Sequence, residues 1–144
     1  MRCDVAVGLL LVMSGCGSSR MPEVRPQSGG GNELEISRVI EAALEADGRA
    51  ERADSLYAPY ATVIADGRPR RTPPRFAGIA KQGEVAITNT QLQTRSTTAW
   101  GNLEYRWVSG SSNRAQVGHA SFVLAPAQHR TGWWIVQLHS STAR

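Results

Sequence analysis

Apolar residues recur at helical spacing through 33–48. Leu34, Ile36, Val39, Ile40, Ala43 and Leu44 form one stripe near the 3.6-residue period, which predicts a helix there. Asn32 suits the N-cap, Glu33 and Glu35 suit the positive N-terminal end, and Gly48 suits the stop. A second short helix is expected over 49–57, with Ala50, Ala53, Leu56 and Tyr57 inward, before Pro59 forces an exit. The pattern then changes to that of strands. These are expected over 61–65, 85–95, 100–108, 117–125 and 133–140. Asp66-Gly67 closes the first with a turn signal, and 109–113 and 126–132 read as loops. Helices first and hairpin-linked strands afterwards indicate an α+β domain, its N-terminal helices packed on one face of an antiparallel sheet.

The last hairpin allows a register to be proposed. With its turn centred near His129, Phe122 faces Val136, Leu124 faces Trp134 and Ala120 faces Leu138 on one side. On the other side Val123 faces Ile135, Ser121 faces Gln137 and His119 faces His139. A slip of one residue in one strand would mix the faces, so the sorting of apolar positions supports the pairing.

The N-terminus adds an address. Arg2 precedes an apolar run over 5–13, then Ser14, Gly15 and Cys16. The run is too short for a membrane-spanning helix, which needs roughly 20 residues, but suits the core of a cleavable export signal. The segment M-S-G-C resembles a lipobox, with Met13 where leucine is usual and Cys16 as the lipidated residue. A buried strand ending in cysteine is the alternative, and Gly17-Ser18-Ser19 argues against it. Residues 17–32 are rich in glycine, serine and proline and read as a tether, with a reach of ~20 Å. The expected organisation is a signal over 1–15, a lipidated cysteine and tether over 16–32, and one domain over 33–144. Of the two cysteines, Cys3 would leave with the signal and Cys16 would carry lipid, so no disulfide can form in the mature chain. The location implied is the cell envelope, facing the periplasm or the exterior, with the membrane as partner through the lipid. A net charge of +4 fits a solvated surface and does not mark a nucleic-acid binder.

The series LYAPYATVIADG, GHASFVLAP and GWWIVQLHSS resembles the SnoaL-like branch of the nuclear transport factor 2 superfamily. Its ending is the most specific part: a glycine, then Trp133, Ile135, Val136, His139 and two serines in order. The resemblance implies a curved antiparallel sheet wrapped around helices, a cone-shaped, cystatin-like roll with an internal pocket. It also implies a range of activities, from isomerases and dehydratases to non-catalytic binding and dimerisation modules, so it speaks to shape before function. Relatives often carry a third helix after the first hairpin. Here the prolines and glycines of 67–84 leave room only for a short turn near 76–81, so the cone would be more open or closed by a partner chain.

Candidate chemistry is sparse. A ketosteroid-isomerase-like site needs an aspartate base and an oxyanion hole of tyrosine and protonated aspartic acid. Glu104 alternates with Asn102 and Arg106 and should face solvent, while Asp54 and Asp66 suit solvated or capping roles. No carboxylate pair emerges, and no residue is assigned as catalytic. His119 and His139 have three open readings: a polar end of a sheet face, a polar pair lining a pocket, or a metal site lacking a third ligand. Trp100, Tyr105 and Trp107 crowd one strand, with Tyr57 and Phe76 available from the helix and loop regions, which suits either an aromatic pocket or core packing. The candidate pocket is therefore Tyr57, Trp100, Tyr105, Trp107, His119, Gln137 and His139, with no metal and no cofactor. Arg68, Arg70, Arg71 and Arg75 form a basic cluster, a solvated hairpin tip or a contact for anionic headgroups. The expected role is binding of a small, partly apolar ligand, or assembly as a homodimer. The alternative is a pocket enzyme of isomerase or dehydratase type using His119 or His139.

Overall fold

The computed structural model describes residues 30–111 and 114–143. The export signal, Cys16 and the tether as far as residue 29 lie outside the described residues. Among those described, no helix is long and apolar enough to cross a membrane.

Helix α1 runs Gly30–Gly48, beginning two residues before the expected cap at Asn32. Its stripe continues further than its apolar residues do: Ile36, Ile40, Ala43, Leu44 and then Asp47 are all buried. Ala50 ends the helix with a left-handed φ of 57°. The N–H of Glu51 donates to the carbonyl of Ala46 at 2.7 Å and that of Ala50 to Asp47 at 3.0 Å, the paired bonds of a Schellman motif. This termination is why no second α-helix forms over 49–57. Only a 3-10 turn, Asp54–Leu56, remains of it, and Tyr57 already belongs to a strand.

Six strands follow: β1 (Tyr57–Ala65), β2 (Arg68–Pro69), β3 (Gly83–Arg95), β4 (Thr98–Ser109), β5 (Ala115–Pro126) and β6 (Trp133–Thr142). They form one curved, unclosed sheet in the order β2-β1-β6-β5-β4-β3. All neighbours are antiparallel except β1 and β6, which run parallel. Strand β1 starts before Pro59 because its pairing with β6 is irregular between Tyr57 and Thr62. An imino acid with no N–H to donate is tolerated at such an irregularity.

The hairpin of β5 and β6 differs from the expected register. Phe122 pairs with Leu138, Ser121 with His139 and His119 with Ser141, so His119 and His139 are diagonal neighbours and do not face each other. A bulge between Val123 and Leu124 then shifts the partners, setting Leu124 against Ile135 and Ala125 against Trp134. On β6 the inward positions change from Trp133 and Ile135 to Leu138 and Ser140, leaving Trp134 and Val136 only half-buried. The run WWIVQL is apolar on both faces for most of its length, so alternation alone could not locate the change of parity.

Helix α1 covers the inner face of the sheet, where Leu103, Tyr105, Phe122, Leu124, Ile135 and Leu138 meet its apolar stripe. The non-helical segment 70–82 completes that face, with Phe76, Ala77 and Ile79 each 3% exposed or less. Phe76 meets the Tyr105 ring edge-on, centroids 5.5 Å apart. An irregular segment cannot be buried unless its backbone polar groups find partners. The Asp47 carboxylate accepts the N–H of Arg75 at 2.5 Å and of Phe76 at 2.7 Å. Ser140 Oγ accepts the N–H of Ala77 at 2.9 Å, and the Tyr105 hydroxyl donates to the Ala77 carbonyl at 2.7 Å. The cone is thus closed from within by the chain's own loop, with Asp47 as its clasp.

Replacing Asp47 with alanine would leave two buried N–H groups without acceptors, at about 1–3 kcal/mol each. Asp47→Ala should therefore lower the unfolding free energy by roughly 2–5 kcal/mol in urea denaturation, and Asp47→Asn, which keeps an acceptor oxygen, by clearly less. Burial raises the Asp47 pKa, outweighing its backbone hydrogen bonds and the nearby Arg75 charge. The folded state then holds the extra proton between the ordinary carboxylate value and the raised one. From this group alone, stability falls as pH rises through that window. Wild type should accordingly gain on Asp47→Asn as pH is lowered into it. A difference independent of pH would contradict the burial of an ionisable carboxyl there.

Candidate binding face

The sheet divides the candidate pocket residues between its two faces. Tyr57, Tyr105 and Trp107 point inward and are 7%, 1% and 7% exposed. Trp100, His119, Gln137 and His139 lie on the opposite, outer face, and all four are exposed. Alternation decides this: Trp100 and Tyr105 differ by an odd number of positions on β4, so one strand delivers them to opposite sides. Tyr105 and Trp107 have become core, and Tyr57, equally buried, borders a cavity between β1 and residues 70–75. Between α1 and the sheet, beside Ile36, Ile40 and Phe122, the remaining gap is about 10 Å³, room for one water at most.

The outer group belongs to an ordered polar surface. Three cross-strand rungs run over β3, β4, β5 and β6: Asn89–Glu104–His119–Ser141, Gln91–Asn102–Ser121–His139 and Gln93–Trp100–Val123–Gln137. The first two line a trough of about 380 Å³ containing both histidines. Trp100 and Gln137 border an adjoining depression of about 170 Å³, which shares Asn102 and Ser121 with the trough. Pleating makes this surface, since in the first two rungs every second residue of each strand carries an amide, hydroxyl, imidazole or carboxylate to the same side, and Trp100 and Val123 enter only in the third.

Within the trough, His119 Nδ1 lies 3.6 Å from Glu104 Oε1, with both side chains about half exposed at 52% and 45%. An ion pair this exposed contributes little to stability, typically ~0–1 kcal/mol. The groups remain free to meet a ligand. No cluster of three metal-ligating side chains occurs among the described residues. Asp66 has the capping role expected of it, accepting the Thr142 N–H at 2.9 Å.

Several residues of this arrangement escaped the sequence reading. Asn89, Gln91 and Ser141 were never assigned to a face. Asp47 had a signal: it continues the Ile36, Ile40, Ala43 stripe at helical spacing, at the helix end that disfavours negative charge. An acidic residue in both positions at once points to a buried acceptor. Arg75, a member of the basic cluster, is 5% exposed and turned into the protein, whereas Arg68, Arg70 and Arg71 are exposed.

No family model and no curated protein matches the sequence. Solved structures do match. An NTF2-like superfamily protein from Salmonella enterica serovar Typhimurium is 17% identical, with a TM-score of 0.62 over 80% of this chain and 93% of that one. A protein from Streptomyces avermitilis, provisionally named a dehydratase of the NTF2-like family, is also 17% identical, with a TM-score of 0.62 over 80% of this chain and 98% of that one. A protein from Shewanella frigidimarina, provisionally named a ketosteroid isomerase, is 15% identical, with a TM-score of 0.60 over 77% and 98%. Likeness at such identity speaks to fold. The chain has the NTF2-like, cystatin-like fold: a curved sheet laid against an N-terminal helix.

Proposed function

We propose that this chain is a lipid-anchored domain of the cell envelope, of the SnoaL-like branch, that binds a hydroxyl-rich ligand on the outer face of its sheet. The observation that carries the proposal is the contrast between the two faces. The inner one is filled beneath α1, while the outer one holds a trough lined by amides, hydroxyls, histidines and a carboxylate, one rung from an exposed tryptophan. Amides donate and accept together, and so match neighbouring hydroxyl groups that do the same. Trp100, 37% exposed, offers a flat apolar surface for the C–H face of a sugar ring. The anchor rests on the lipobox-like segment ending at Cys16.

Self-association is the competing use of this face. A homodimer is expected if the uncovered sheet face is apolar enough to pair, and Trp100 and Val123 on that face favour it, while the two polar rungs beside them favour a hydroxyl-rich ligand. A catalytic use would centre on His119, which has Glu104 beside it as a partner. The dehydratase and isomerase names among the fold neighbours favour testing it.

Titration of the full chain with soluble oligosaccharides, followed by tryptophan fluorescence, should give saturable binding. Trp100→Ala and Asn102→Ala should each weaken it by ~10-fold or more, while unfolding free energy stays within ~0.5 kcal/mol of wild type. Absence of any binding, together with a dimer in sedimentation that Trp100→Ala dissociates, would assign the face to self-association instead.

The anchor has its own test. Cys16→Ser should abolish incorporation of labelled fatty acid in the native host. Undiminished labelling would show that the lipid, if present, is attached elsewhere.

A further inference from the structure

The loop that closes the cone leaves two buried donors without acceptors, and their residues line the same cavity. Tyr57 Oη and Arg75 Nη1 have no hydrogen-bond partner among the described residues, although the residues are only 7% and 5% exposed. The Arg75 guanidinium lies over the Tyr57 ring, its carbon 4.1 Å from the centroid. Its other terminal nitrogen is occupied: Nη2 donates to the Asp54 carboxylate, and to the Arg71 carbonyl at 3.2 Å. The guanidinium is therefore half used. A cationic nitrogen left unmet in a protein interior is rare and costly, and calls for an explanation.

The adjoining cavity, about 650 Å³, is bounded by β1 on one side and by 70–75 on the other. Besides Tyr57 and Arg75, its lining includes Arg70, Arg71, Asp54 and Tyr60. Three guanidiniums face one carboxylate there, while the second nearby carboxyl, Asp47, is engaged by the backbone N–H groups of Arg75 and Phe76. The local balance is positive. Burial raises the Tyr57 pKa against the opposing effect of the neighbouring Arg75 guanidinium, so its hydroxyl keeps a proton to donate. The free guanidinium nitrogen, a phenol and two more arginines present mainly donors. That set matches an anion with several oxygens better than a neutral ligand.

We infer that the cavity between β1 and 70–75 is a phosphate-binding site, in which Arg75 Nη1 and the Tyr57 hydroxyl receive the oxygens and Arg70 and Arg71 close over them. Both donors are shielded from solvent, so a modest rotation of Arg75 accompanies binding, as side-chain adjustments commonly do. The phosphate can come from a small phosphorylated compound or from a phospholipid headgroup. The site is independent of the outer-face trough, and neither proposal needs the other.

Thermal melting of the full chain in inorganic phosphate, against chloride at equal ionic strength, tests the inference. Wild type should gain several degrees, saturating with concentration. Tyr57→Phe, which removes only the unmet hydroxyl, should melt no lower than wild type in chloride and lose most of the gain. Arg71→Gln, at an exposed position, should bind phosphate about tenfold more weakly without change in chloride. Vesicles of phosphatidylglycerol separate the sources. Binding that Tyr57→Phe and added phosphate both reduce identifies a headgroup, and phosphate stabilisation without it identifies a small compound. The site is overturned if phosphate does not stabilise wild type, or stabilises wild type and both variants equally. A Tyr57→Phe melt well below wild type in chloride would also overturn it, since the hydroxyl would then already have a partner.

Discussion

A carboxylate at the end of the apolar stripe of α1 fixes where the chain goes as far as Phe76. Asp47 is 2% exposed, and its Oδ2 accepts two N–H groups from a segment nearly thirty residues further along the chain. Burying an ionised carboxyl is costly unless it is hydrogen-bonded, and burying irregular backbone is costly for the same reason. Each makes the other possible. Once Asp47 holds Arg75 and Phe76, the Phe76 ring reaches Tyr105, and Ala77 falls between Ser140 and the Tyr105 hydroxyl. The close packing of β5 against Tyr105 depends on this placement too, since a Cβ at Gly118 would lie 2.3 Å from the tyrosine ring.

The consequence for the proposed function is a change of side. A fold built around a cone offers its interior for ligands, and two of the fold neighbours carry provisional enzyme names. In this chain the loop occupies that interior, so space and unused polar groups lie elsewhere: in the trough on the outer face, and in the cavity between β1 and 70–75. Both depend on the clasp. The cavity exists because Arg75 is drawn inward by its own backbone N–H, and the sheet beneath the trough is supported by the core that Phe76 completes.

Much of this was legible in the sequence, and the failures have separate causes. The stripe from Leu34 to Leu44 gave α1, and alternation gave β3 to β6 within a few residues. The expected helix over 49–57 failed because Ala50 adopts a left-handed conformation usually signalled by glycine. The β5–β6 register failed at a bulge where both faces are apolar, although His119 and His139 still share a face. The split of Tyr105 and Trp107 from Trp100 was implicit in strand parity. The burial of Phe76 and Ile79 was not: a proline- and arginine-rich segment reads as solvated until a partner for its backbone is known. Asp47 was that partner. Its spacing gave a hint, but nothing local connected it to residues 75 and 76.

Native-state hydrogen exchange measures the clasp directly, because it reads individual amides. If Asp47 and Ser140 hold the loop as part of the core, the N–H groups of Arg75, Phe76 and Ala77 will exchange only as slowly as those of Phe122 and Leu138, at rates set by global unfolding. Exchange of these three amides at the rate of the exposed 127–131 turn, with β5 and β6 still protected, would contradict the account: the loop would open independently and the interior would be accessible.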